Sequence, residues 1–160
     1  MTATELKLRD TKTQLRLAAM HEDDEEVFRS CLNAAIALGR SVTFVMQAES
    51  ANCPRLSQWY EQTIREHPET PLLRFFNERR VHTIHRGVVT PKSKQVLSVS
   101  PVFASAGALQ ASTVFKNSWV LEGTEQYGLA AEANALLLCN RYMEVLTGLV
   151  KQWLTQRNAA

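Results

Sequence analysis

The sequence predicts a mainly α-helical, four-helix-bundle-like domain with a β-hairpin-like insertion before the C-terminal helix. Three observations carry that expectation. Apolar residues recur at three- and four-residue intervals over two long stretches, 22–50 and 129–156, the spacing that lines one face of a helix. Two shorter apolar stretches between them are bounded by prolines, at positions where proline stops or starts a helix. From Val88 to Glu122 the helical period gives way to serines, Pro91, Pro101, Gly107 and two-residue alternation, which is the pattern of paired strands.

Taken in order, residues 1–20 alternate at Leu6, Leu8, Leu15 and Leu17, yet Leu8, Leu15 and Ala18 or Ala19 also suit one helical face; helix is the reading adopted. The acidic run Glu22–Glu26 places negative charge where a helix N-terminus is partially positive. Behind it Val27, Cys31, Ala34 or Ala35, Leu38, Val42 and Val45 form a stripe, widened by Phe28, Leu32, Ile36 and Phe44. After a break at Ser50–Pro54, Leu56, Trp59, Tyr60 and Ile64 make a short helix that ends before Pro68. Thr70 as N-cap and Pro71 at the first helical position open the next helix, from about Leu72 to Arg86, with Gly87 as its stop. The 88–122 insertion, roughly 35 residues, is too long for a plain loop in a small domain. Its strand-like runs are Val96–Ser100 and Thr113–Val120. The last helix, about Leu129 to Gln156, carries Leu129, Ala133, Leu136, Asn140, Met143, Thr147, Val150 and Leu154 on one stripe, broadened by Leu137, Leu146, Leu149 and Trp153.

With 160 residues the chain reads as a single domain over 1–160 with a real core. A net charge of +2 gives no general attraction to nucleic acid, so such a partner has to be argued from a local patch. The longest apolar-rich run, 31–48, is interrupted by Asn33, Gly39, Arg40, Ser41 and Gln47, and falls short of the ~18 uninterrupted apolar residues of a membrane span. The polar first ten residues do not resemble a signal peptide, so the expectation is a cytoplasmic protein without a membrane partner. Cys31, Cys53 and Cys139 lack the spacing of a zinc or redox motif. Cys31 and Cys139 read as small core residues and Cys53 as a free thiol in a turn. No cofactor is expected.

The chemistry-bearing stretch is Glu78-Arg79-Arg80-Val81-His82-Thr83-Ile84-His85. On a helix Glu78, His82 and His85 share a stripe, Arg79 lies beside it, and Arg80 falls on the side of Phe76 and Ile84. A guanidinium there is costly to bury unless it is paired or reaches an open cleft. Three readings are open: a charged helix end whose cations face the negative dipole; a metal site on Glu78, His82 and His85, which Arg79 and Arg86 oppose electrostatically; or a phosphate-binding cation beside a proton-transferring imidazole. Isolated His21 and His67 read as a helix-start and a solvated turn residue. Trp59-Tyr60 and Trp119 read as core or interface before base-stacking platforms. Lys92-Ser93-Lys94 makes a small basic patch on an exposed loop.

The order of a long apolar helix, a short helix bearing Trp59-Tyr60, and then Leu72 to Gly87 resembles the HEPN superfamily of helical-bundle proteins. Its signature is an arginine, four to six residues and a histidine. Arg80 to His85 has the four-residue interval and Arg79 to His85 the five-residue one. The resemblance covers 22–87 and, loosely, the terminal helix. It implies a metal-independent ribonuclease of toxin or defence type, a homodimer in which two motifs meet, and a protein antitoxin or other partner. On that basis Arg80 binds phosphate and His85 does acid–base work, with Arg79, His82 and Glu78 in support. Active members commonly carry a polar residue after the motif arginine, where this chain has Val81. The alternative expectation is therefore a non-catalytic helical binding module.

Overall fold

The computed structural model describes residues 1–85, 89–103, 109–131 and 133–159; for 83–85, 97–103 and 109–117 the backbone alone is described. Five helices are present among these residues: α1 (Ala3–Met20), α2 (Glu25–Ser50), α3 (Pro54–Glu66), α4 (Thr70–His85) and α5 (Ala135–Asn158). Between α4 and α5 lie the strands β1 (Lys92–Phe103), β2 (Leu109–Leu121) and the short β3 (Ala133–Asn134), forming an antiparallel sheet in the order β1-β2-β3. The fold is thus mainly α with a small sheet ahead of the C-terminal helix.

Local chemistry sets the helix ends. Thr2 accepts from the Glu5 amide at 3.1 Å while the Glu5 carboxylate accepts from the Thr2 amide at 2.7 Å, a reciprocal cap that settles residues 3–20 as helix. Asp24 caps α2 through the Val27 amide at 3.1 Å, with Glu25 and Glu26 in the first turn. His21 does not start a helix; it ends α1, its amide donating to the Ala18 carbonyl. Thr70 is already helical, its hydroxyl donating back to the His67 carbonyl at 2.5 Å. The expected stop of α4 at Arg86-Gly87 lies outside the described residues.

The last helix begins six residues later than its apolar pattern predicts. A 3-10 turn over Glu125–Tyr127 ends at Gly128 in the left-handed region (φ 69°), where a side chain would be strained. Ala133–Asn134 then pairs with Leu121–Val120 instead of coiling, and Asn134 caps α5 through the Leu137 amide at 2.9 Å.

Helix α2 is the centre of the bundle and packs on all four other helices. Its buried face is Phe28, Leu32, Ala35, Ile36, Gly39, Val42 and Met46. Phe44, expected in the stripe, is 41% exposed. On α5 the expected Met143, Leu146, Leu149, Val150 and Trp153 are buried, but the face turns to include Leu138 and Tyr142, whereas Leu137 is 71% exposed. Trp153 donates to Ser50 Oγ at 2.9 Å inside the core.

The hairpin is regular in register from Lys92↔Val120 to Phe103↔Leu109. Trp119 latches it to the bundle. Its ring stacks on Phe28 at 5.0 Å and its indole N–H donates to the Glu22 carbonyl at 2.8 Å. Lys92 and Lys94 lie on β1 rather than in a loop, and Lys92 pairs with Glu122 at 2.5 Å.

Candidate functional site

The end of α4 divides its charged residues between two sides. Glu78, Arg79, Val81 and His82 line a cleft of about 310 Å3 whose far wall is Gln126 and Tyr127 of the 3-10 turn. Burial raises the Tyr127 phenol above its ordinary value, and the Glu78 carboxylate beside it adds to this by hydrogen bonding and charge; Arg79 opposes them. The cleft therefore holds a carboxylate, an imidazole and a phenol within one wall-to-wall space.

Arg79 is anchored. Its guanidinium donates to the Glu122 carbonyl and lies 5.0 Å from the Phe75 ring centroid. Gly123, at φ 69°, leaves room for this contact, since a Cβ there would sit 2.7 Å from the Arg79 guanidinium. Arg79 thereby ties the exit of the hairpin to α4.

Arg80 faces the other way, toward α2. Its guanidinium lies 5.3 Å from the Phe44 ring centroid, and Arg40 lies 4.0 Å from the same ring. Phe44 is thus a shared cation–π partner rather than a core residue. The Arg80 Nε and the His82 Nδ1 are both buried without a hydrogen-bond partner among the described residues. His85 closes α4 in the backbone, and its side chain lies outside the described residues.

The structure therefore brings Glu78, Arg79 and His82 together and separates Arg80 from them. Sequence reasoning missed Arg40, Phe44, Gln126 and Tyr127. The four-residue spacing of Arg40 and Phe44 on α2 was the one signal available for that pair; Gln126 and Tyr127 reach the cleft only through the return of the hairpin.

Other sequence candidates are structural. Tyr60 and Trp119 are buried and Trp59 packs on the core. Burial pushes the Cys139 thiol up to about 12, removing it from thiolate chemistry. His67 accepts the Glu69 amide at 3.0 Å through Nδ1. Among the described residues no three His, Cys, Asp or Glu side chains gather closely enough to hold a metal ion, and the Glu78-His82-His85 set depends on a side chain outside that description.

This architecture defines a mainly helical domain whose charged helix end abuts a hairpin return. The chain belongs to the bacteriophage lambda protein ea47 family, whose profile matches residues 1–106. The match spans α1 to α4 and includes the Glu78–His85 run. No curated protein and no solved structure matches the chain. No helix among the described residues is long and apolar enough to cross a membrane.

Proposed function

We propose that this protein is a HEPN-like, metal-independent endoribonuclease of toxin or defence type. It works in the cytoplasm as a homodimer, with a protein partner that restrains it. Arg80 binds the scissile phosphate and His85 transfers the proton between the ribose 2′-hydroxyl and the leaving oxygen, giving a 2′,3′-cyclic phosphate. Arg79, His82 and Glu78 support them from the neighbouring cleft.

One observation carries the reading. Two residues apart on α4, though facing different sides of it, the Arg80 Nε and the His82 Nδ1 are both buried with no hydrogen-bond partner among the described residues. Buried polar atoms are ordinarily satisfied, so unmet ones at a helix end reserve capacity for a ligand. A cation and a titratable imidazole are what in-line attack on a phosphodiester requires. A groove between α1 and α5 gives further support. Arg9, Lys12, Arg16 and Lys151 line it against the carboxylates Glu5 and Glu144, a balance suited to a phosphodiester backbone.

The reading is tested by incubating the protein with labelled RNA in excess chelator, beside His85→Ala and Arg80→Ala. Cleavage by the parent and its loss by about 10²-fold or more in both variants is the expected result. Equal cleavage by all three overturns it. A second reading, a non-catalytic binding module, is favoured by Arg79, whose guanidinium is held by the Glu122 carbonyl at the exit of the hairpin. That module binds RNA or protein with no cleavage by any of the three forms.

A further inference from the structure

A separate cleft of about 260 Å3 opens where α2, α3, α4 and α5 meet, and it shares no lining residue with the Glu78–His82 cleft. Arg40 from α2, Arg65 from α3 and Arg74 from α4 line it, and no carboxylate does. Ile64, Leu73 and the Tyr142 ring supply the apolar part of the wall.

Arg40 is the key group. Half-buried, it donates through Nε to Asn77 Oδ1 at 2.8 Å and through a terminal nitrogen to Thr43 Oγ1. Thr43 is 2% exposed, so the fork is held by a rigid interior group. Burial raises the Tyr142 phenol well above its ordinary range and raises the Tyr60 phenol too, despite the nearby Arg40 charge, so both stay neutral. Every contact described for Arg40 is therefore to a neutral group. A guanidinium drawn from water normally has a carboxylate beside it, because neutral acceptors only partly replace lost hydration.

The other two cations sharpen the imbalance. Arg65 and Arg74 are exposed at the cleft and make no ion pair among the described residues. Two nearby acids have other partners. Glu69 binds Arg141 at 2.7 Å, and Glu66 accepts from Gln62 at 3.3 Å. Three guanidinium groups around one cavity repel each other, and their planar forks match phosphate oxygens in pairs. The volume lies near the lower end of small-ligand pockets, about 300–1,000 Å3, which suits a phosphate with a small organic body.

We propose that this cleft binds an organic phosphate monoester, with the phosphate on Arg40, Arg65 and Arg74 and the organic body against Ile64, Leu73 and Tyr142. The site is independent of the ribonuclease reading, since it is built from other residues. It is tested by titrating the full chain at fixed ionic strength with phenyl phosphate and with inorganic phosphate, following amide NMR shifts and Tm. Phenyl phosphate is expected to bind below about 1 mM and about tenfold tighter than inorganic phosphate. The Arg65→Gln/Arg74→Gln double variant is expected to lose binding by about tenfold or more while its unliganded Tm is unchanged or higher, because mutual repulsion is relieved. Equal affinity for the two probes removes the organic body from the assignment and leaves free phosphate. Binding undiminished in the double variant, or no saturation of either probe by about 10 mM, overturns the site.

Discussion

Gly39 and Tyr142 show how a single residue fixes the interior beside the Arg40 cleft. The Tyr142 ring lies 4.2 Å from Phe76 in a stacked pair, so it has no room to retreat toward α4. A Cβ on Gly39 would stand 2.6 Å from Tyr142 Cε1. Gly39→Ala gains about 1 kcal/mol of helix propensity, but overpacking against a rigid ring costs about 1–3 kcal/mol. The expected outcome is a net loss of up to about 2 kcal/mol in urea unfolding at neutral pH. A variant as stable as the parent would show that the ring yields. At the same scale, Arg79 and Arg80 are sequence neighbours with opposite uses: one is anchored to the Glu122 carbonyl, the other has a buried nitrogen unmet.

Between elements, Asn33 joins α2 to the segment that leaves α4. Its side-chain amide donates to the Val89 carbonyl and accepts from the Val89 amide, both at 2.8 Å, imitating one rung of a sheet. Asn33 and Val89 are buried, so water has little access to replace either bond. Asn33→Ala leaves two backbone groups unsatisfied and is expected to cost about 2–4 kcal/mol. Hydrogen exchange provides the specific readout: Val89 should lose protection while amides in the middle of α5 change only by the global shift. Uniform loss across the chain would assign Asn33 to general stability. The hairpin depends on similar pins where β2 returns to the bundle, the Trp119 indole on the Glu22 carbonyl and the Arg79 guanidinium on Glu122. These contacts place Gln126 and Tyr127 opposite His82.

For the molecule as a whole, Glu49 gathers three helices. At the end of α2, it accepts from the Thr4 hydroxyl at 2.6 Å and the Thr4 amide at 3.1 Å at the start of α1, and faces Arg157 of α5 at 3.6 Å. Burial alone would raise its carboxyl; the hydrogen bonds from Thr4 and Ala3 and the Arg157 charge outweigh that and hold it below the usual value. A depressed folded value means that the contact contributes fully above the unfolded pKa of about 4.3 and fades as pH falls through the folded one. The stability gap between the parent and Glu49→Gln should therefore be widest near neutrality and close on acidification below about pH 4.3. A gap that stays constant into acid would remove Glu49 from the acid response.

The sequence by itself determined where the first three helices begin, and which stretch leaves the helical pattern. Caps such as Thr2 and Asp24, and the proline at 54, act within a few residues of the backbone groups they satisfy, so the local order of residues contains the whole interaction. The late start of α5 was less legible, because pairing of Ala133–Asn134 with β2 overrides an apolar period that continues through it. Leu8, Leu15 and Ala18 of α1 face inward as their spacing predicts, whereas the exact face of α5 was decided only by packing. On α5, Leu137 satisfies the period yet is exposed, because Tyr142 and Trp153 find partners on α4 and α2 that no spacing rule contains. The charged run Glu78–His85 was visible from the outset, but its division was not. Arg40 meets Asn77 across 37 residues and Arg79 meets Glu122 across 43, so the environment of each guanidinium exists only once the helices and hairpin have docked. Side-chain type sets what a charge can do; tertiary contact sets whether it is held, shared or left for a ligand.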